Sequence, residues 1–122
     1  MTRIYLVRHG TTEWNREEIF RGRADCVLNE TGRAEARAVA AYFEDLDLDG
    51  IFTSPLARAA ETAAAIAAGR GIEVASDPAF IDLDFGEWQG HPLKEVREKY
   101  PSLYRAWRER PQEVTIPGGE NL

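Results

Sequence analysis

At 122 residues and 13.7 kDa the chain is one domain, large enough for a core without disulfides. Hydrophobic residues at 43% and charged residues at 30% exclude a disordered composition, and no stretch is long and uncharged enough to span a bilayer. A formal charge of −6 argues against general nucleic-acid binding, and the single cysteine, Cys26, leaves neither an intrachain disulfide nor a multi-thiol zinc site. No apolar leader precedes the first predicted strand, so a cytoplasmic location is expected.

Arg3 to Val7 (R-I-Y-L-V) reads as a short β-strand, stopped at once by Arg8-His9-Gly10. Thr11 to Leu28 reads as loop with at most a helical turn. Asn29 is placed to cap a helix whose apolar stripe is Ala36, Val39, Ala40 and Phe43. Gly50 punctuates before a second short strand, Ile51 to Thr53. Ser54-Pro55 then combines an N-cap residue with proline at the first helical position, which predicts a helix to about Ala68. Ile72 to Ala75 is a third strand, and Phe80 to Gly90 is an irregular segment rich in acids and aromatics. Pro92 and Pro101 each open a further helix, and from Arg110 the chain is extended to Pro117-Gly118-Gly119-Glu120. Strand, helix, strand, helix, strand predicts an α/β fold with a parallel sheet covered on both faces. Three short strands make a thin sheet, so further strands are expected.

Chemistry concentrates where the first strand ends. Gly10 lets a ligand approach the backbone, and Arg58, one turn into the helix after the second strand, lies at the same sheet edge as His9 in a parallel arrangement. Guanidiniums beside an imidazole make poor packing but a good cage for a dianion, because each fork can take phosphate oxygens. A neutral His9 held there is competent to attack phosphorus, with Arg8 and Arg58 offsetting charge and Asn15 supplying a neutral donor or fixing the loop. Arg21 and Arg23 read equally well as a solvated loop or as a second anion contact. Trp88 is the best candidate for a wall against the non-phosphate part of a substrate, while other aromatics at such spacings are more often core.

The chain resembles the histidine phosphatase superfamily, which has the phosphoglycerate-mutase-like fold. L-V-R-H-G-T-T-E-W-N at Leu6 to Asn15 is similar to the family signature, with Thr11 where glutamate is common. T-S-P-L-A-R-A-A-E-T-A at Thr53 to Ala63 resembles the second motif, D-L-D-F-G-E-W-Q-G at Asp82 to Gly90 the third, and P-G-G-E-N at Pro117 to Asn121 the opening of the fourth. The resemblance implies a three-layer α/β/α sandwich with a mostly parallel sheet, incomplete at the C-terminus. It implies phosphorylation of His9, phosphoryl binding by Arg8, Asn15 and Arg58, and a proton donor at the position of Asp82, where the family has glutamate. Either carboxylic acid can protonate a leaving oxygen, and Asp84 and Glu87 lie near enough in sequence to substitute.

Family members carry a second active-site histidine beyond the position of Asn121, on a strand that packs beside the first. His91, in a loop-to-helix junction, is not expected to replace it. The 122 residues therefore read as an N-terminal portion of a larger enzyme, or as a sheet completed by a partner or by exchange between copies. The expected activity is phosphomonoester hydrolysis through a phosphohistidine, with no metal or cofactor and no nucleic-acid or membrane partner. Phosphoglycerate mutase, α-ribazole phosphatase, and a non-catalytic phosphate-binding or scaffold domain are the alternatives.

Overall fold

The computed structural model describes all 122 residues, Met1–Leu122. Helices α1 (Glu13–Arg16) and α2 (Glu30–Tyr42) precede strand β1 (Ile51–Thr53). Helix α3 (Ala57–Ala67) then crosses over to strand β2 (Val74–Ser76), and α4 (Leu93–Lys99) and α5 (Pro101–Glu109) follow. β1 and β2 pair in parallel, Ile51 opposite Val74 and Thr53 opposite Ser76, so β1–α3–β2 is a βαβ unit.

The sequence anticipates α2 closely. The Asn29 side chain accepts from the Gly32 N–H at 2.9 Å, and Ala36 and Phe43 are buried along the stripe. The alanines of α3 let it lie close against α2. α3 itself begins two residues later than expected. Leu56, not Ser54, holds the N-cap position without a side-chain bond, and Asp25 from a distant loop accepts from the Ala57 N–H at 2.8 Å. A long-range carboxylate thus meets one of the free amides at the helix start, next to its positive dipole end.

The first predicted strand is a correction. Residues 3–7 join no ladder and make no backbone hydrogen bond; Ile4 is 78% and Leu6 95% exposed. A strand exists only where a neighbour takes its amides and carbonyls, and none runs beside this segment. It is moored instead by the Tyr5 ring packed edge-on against Phe43, 5.3 Å between centroids.

A second cluster lies away from the sheet. Phe20, Trp88, Val96, Val114 and Ile116 form a core against which Phe85, Tyr100, Tyr104 and Trp107 pack. Trp88 stacks within 5.2 Å of Phe20 and 5.8 Å of Trp107, centroid to centroid. It is wholly buried, which corrects its expected place as a substrate wall. Its ring is the hub that joins the 82–90 segment to α4 and α5, and burying it leaves Nε1 without an acceptor.

Candidate active site

The loop bearing His9 is fixed by backbone contact. Gly10 and Gly32 face each other across the first turn of α2, so closely that a Cβ on either would collide with the backbone opposite. Gly32, an apparent blemish in a helix start, is therefore the seat of the His9 loop. The Thr11 N–H donates to Glu35 of α2 at 2.7 Å and its hydroxyl to the same carboxylate at 2.9 Å.

The His9 ring is oriented by its own neighbour. Nδ1 lies 2.7 Å from the Gly10 carbonyl oxygen, which can only accept, so Nδ1 carries the proton and Nε2 keeps its lone pair. Burial depresses the His9 pKa below the ordinary 6.5; the Gly10 bond opposes this, while the charges of Arg58, Arg21 and Arg8 push the same way as burial. Three guanidiniums thus act on one neutral imidazole.

Arg58 is 1% exposed. Its two terminal nitrogens donate to the Gly22 carbonyl at 2.6 Å and the Ala24 carbonyl at 3.0 Å, and one meets Asp82 Oδ2 at 3.3 Å. Two carbonyls and a half-exposed carboxylate hold a buried cation in place without closing off its charge. Asn15 also faces a defined way. Its Oδ1 accepts from the Thr12 N–H and hydroxyl, both at 2.9 Å, as part of a capping box on α1, which leaves Nδ2 as a free donor. Arg8 is exposed, with no ion-pair or hydrogen-bond partner.

The acids separate clearly. Only Asp82 touches one of the expected phosphoryl-binding arginines. Asp84 caps the Gly86 N–H at 2.8 Å, and Glu87 accepts from the Tyr100 hydroxyl at 2.7 Å. Arg23 separates from Arg21 in the same way. It clips the loop to the fourth-motif segment through Glu120 at 2.7 Å, whereas Arg21 has no acidic partner. His91 is exposed beside Glu95, at 3.3 Å.

Thr62, which the sequence conceals in an alanine-rich helix, ties the site together. Its Oγ1 accepts from the buried Gly10 N–H at 3.1 Å while its hydroxyl donates to the Arg58 carbonyl at 2.8 Å. The peptide that orients His9 and the helix that carries Arg58 are thus joined through one hydroxyl. Its place one helical turn after Arg58 was the available signal. Thr62→Val keeps the shape and strands the Gly10 amide, so urea unfolding should show a loss of about 1–3 kcal/mol, with Thr62→Ser recovering most of it. An unchanged midpoint in the valine variant would remove this role.

An α/β unit that carries a neutral, oriented imidazole under several guanidiniums is suited to a small oxyanion. The chain belongs to the histidine phosphatase superfamily (branch 1), which residues 4–122 match. It is 39% identical over 122 residues to phosphoserine phosphatase 1 of Hydrogenobacter thermophilus, an alignment that takes in 100% of this chain and 58% of that protein. Among solved structures, Bacillus stearothermophilus YhfR superposes with a TM-score of 0.89 at 32% identity, covering 93% of this chain and 56% of the other. The α-ribazole phosphatase of Shigella flexneri gives 0.86 at 26% identity, covering 94% and 57%. The fold is therefore the phosphoglycerate-mutase-like α/β fold, and the chain spans a little over half the length of these relatives.

Proposed function

We propose that the protein hydrolyses small phosphomonoesters in two steps through a phosphohistidine on His9. The observation that carries this reading is the Nδ1 contact to Gly10, which presents Nε2 unprotonated among the guanidiniums. Nε2 attacks phosphorus in line as the ester P–O bond breaks, while Arg8, Arg58 and Asn15 Nδ2 hold the equatorial oxygens. Asp82 protonates the departing alkoxide, then takes a proton from the water that cleaves the P–N bond.

The names of relatives, phosphoserine phosphatase and α-ribazole phosphatase among them, support a phosphomonoester as substrate. Segment 3–7 leaves its backbone groups unpaired, and β1 pairs with β2 alone. Both are open to a further strand, from a second copy or from a segment equivalent to the rest of the relatives. No helix is long and apolar enough to cross a membrane.

Trapping tests the reading. An aryl phosphate mixed with the protein in the presence of chelator and quenched in alkali within one turnover should leave an acid-labile phosphoryl group on His9. No adduct, or one on a serine or threonine, would overturn it.

A further inference from the structure

The stretch that carries Asp82 has little of its own to hold it. Residues 82–84 belong to no helix or strand, and the Leu83 N–H is met only by the Asp82 carboxylate beside it, at 2.8 Å. Every hydrogen bond that reaches this backbone from elsewhere in the chain comes from Arg23 or Glu120. Glu120 is joined to Asp84 in both directions. Its N–H donates to the Asp84 carbonyl at 2.9 Å, and its Oε2 accepts from the Asp84 N–H at 3.2 Å. Its Oε1 accepts from Arg23 Nη2 at 2.7 Å, and Arg23 Nε in turn donates to the Asp82 carbonyl at 3.3 Å. One carboxylate thus holds both ends of the tripeptide, directly at Asp84 and through a guanidinium at Asp82. As a contribution to stability the ion pair is minor, because both side chains are more than a third exposed.

Its geometry matters more than its energy. An aspartate carboxyl rides on a single methylene, so the backbone of residues 82–84 decides whether it reaches Arg58, 3.3 Å away. A displacement of about 1 Å at a reacting group can cost on the order of 10²-fold in rate. We propose that Glu120 is a positioning residue: with Arg23 it fixes the 82–84 backbone and so aims the Asp82 carboxyl at the phosphoryl site. This rests on the phosphatase reading of the same site and names what holds its acid in place. The phosphoryl-binding side is anchored separately. Arg58 is gripped by the Gly22 and Ala24 carbonyls, and their loop is tied down by the Arg23 N–H, which donates to Gln89 Oε1 at 2.6 Å. Loss of the Glu120 carboxylate therefore frees the acid without loosening the phosphoryl cage.

The test is Glu120→Ala, with Glu120→Gln as the variant that keeps an acceptor for Arg23 but not the charge. Ethyl phosphate and 4-nitrophenyl phosphate separate the roles, since only the alkoxide needs a proton to leave. Glu120→Ala should lower kcat for ethyl phosphate at least about tenfold and the burst rate of nitrophenol release less than about threefold, with Glu120→Gln in between. Added to Asp82→Asn, it should slow ethyl phosphate less than about twofold further, because the acid it places is already gone. With Asp82→Asn selective for the ethyl ester, three outcomes in Glu120→Ala would each overturn the proposal: equal slowing of both esters, no slowing of either, or an undiminished effect in the double variant. A second readout needs no turnover. In proton–nitrogen correlation spectra the guanidinium signals of buried Arg58 should move in Glu120→Ala toward their positions in Asp82→Asn, although Glu120 makes no contact with Arg58. Unmoved Arg58 signals would overturn it as well. If Asp82→Asn slowed both esters alike, Asp82 as proton donor would fall, and the Arg58 signals would still decide whether Glu120 places it.

Discussion

Replacing His9 with alanine should abolish turnover of every phosphomonoester, by at least about four orders of magnitude in kcat/KM or some 5.5 kcal/mol of transition-state stabilisation. The variant loses the nucleophile of the proposed mechanism, and the neighbouring hydroxyls of Thr11 and Thr62 are already engaged by Glu35 and by the Gly10 amide and Arg58 carbonyl. Phosphate affinity should survive, because Arg58 and Asn15 are held by Gly22, Ala24 and Thr12 rather than by the ring. Hydrolysis that persists in His9→Ala would mean that another residue, or a directly attacking water, carries the reaction.

The same ring sets the pH behaviour. Burial, then the charges of Arg58, Arg21 and Arg8, hold the folded imidazole below its ordinary 6.5 against the opposing Gly10 bond. The neutral nucleophile therefore persists to lower pH than for a free histidine, and the acid limb of kcat/KM should lie below 6.5. Stability follows the same sign. Between the folded value and 6.5 the unfolded chain binds more protons, so this contribution is intact above 6.5 and lost as pH falls through the folded value. Proton NMR titration of the free protein checks it directly, since there are only two histidines and His9→Ala identifies the signal. A midpoint above 6.5 would contradict the arrangement.

How much of this was legible in the chain depends on the range of each interaction. The Asn29 cap, the stripe ending at Phe43 and the helices after Pro92 and Pro101 are local, and the structure reproduces them within a residue or two. The start of α3 was misplaced because its cap, Asp25, is 32 positions away. Arg3 to Val7 has the composition of a strand but no neighbour to pair with, and strand formation is a property of pairs. Trp88 looked like a pocket wall because it sits among acids in sequence. Phe20, Trp107 and Tyr104, which bury it, arrive from elsewhere in the chain. At the site, His9 and Arg58 could be paired from topology alone. Thr62 and Glu35, which seat the loop between them, gave no sign beyond helical spacing.

The second large effect separates the acids. Asp82→Asn should slow alkyl phosphates by roughly 10²–10⁴-fold in kcat, the usual worth of a general acid, because an alkoxide cannot leave unprotonated. An ester of 4-nitrophenol needs no proton to depart, so its phosphorylation step should slow less than about tenfold. KM for either should not rise: asparagine removes a negative charge 3.3 Å from Arg58, and an anion then meets less competition. A merely structural role for Asp82 would slow both substrates alike and weaken binding as the Arg58 fork lost its anchor. Glu87 or Asp84 as the donor would leave alkyl turnover intact in Asp82→Asn and transfer the leaving-group dependence to its own amide variant. Glu87 is engaged by Tyr100 and Asp84 by the Gly86 amide, and neither touches a phosphoryl-binding arginine as Asp82 does. Asp82 needs only to turn one oxygen from Arg58 toward the leaving group, since its other oxygen is anchored on the Leu83 amide at 2.8 Å.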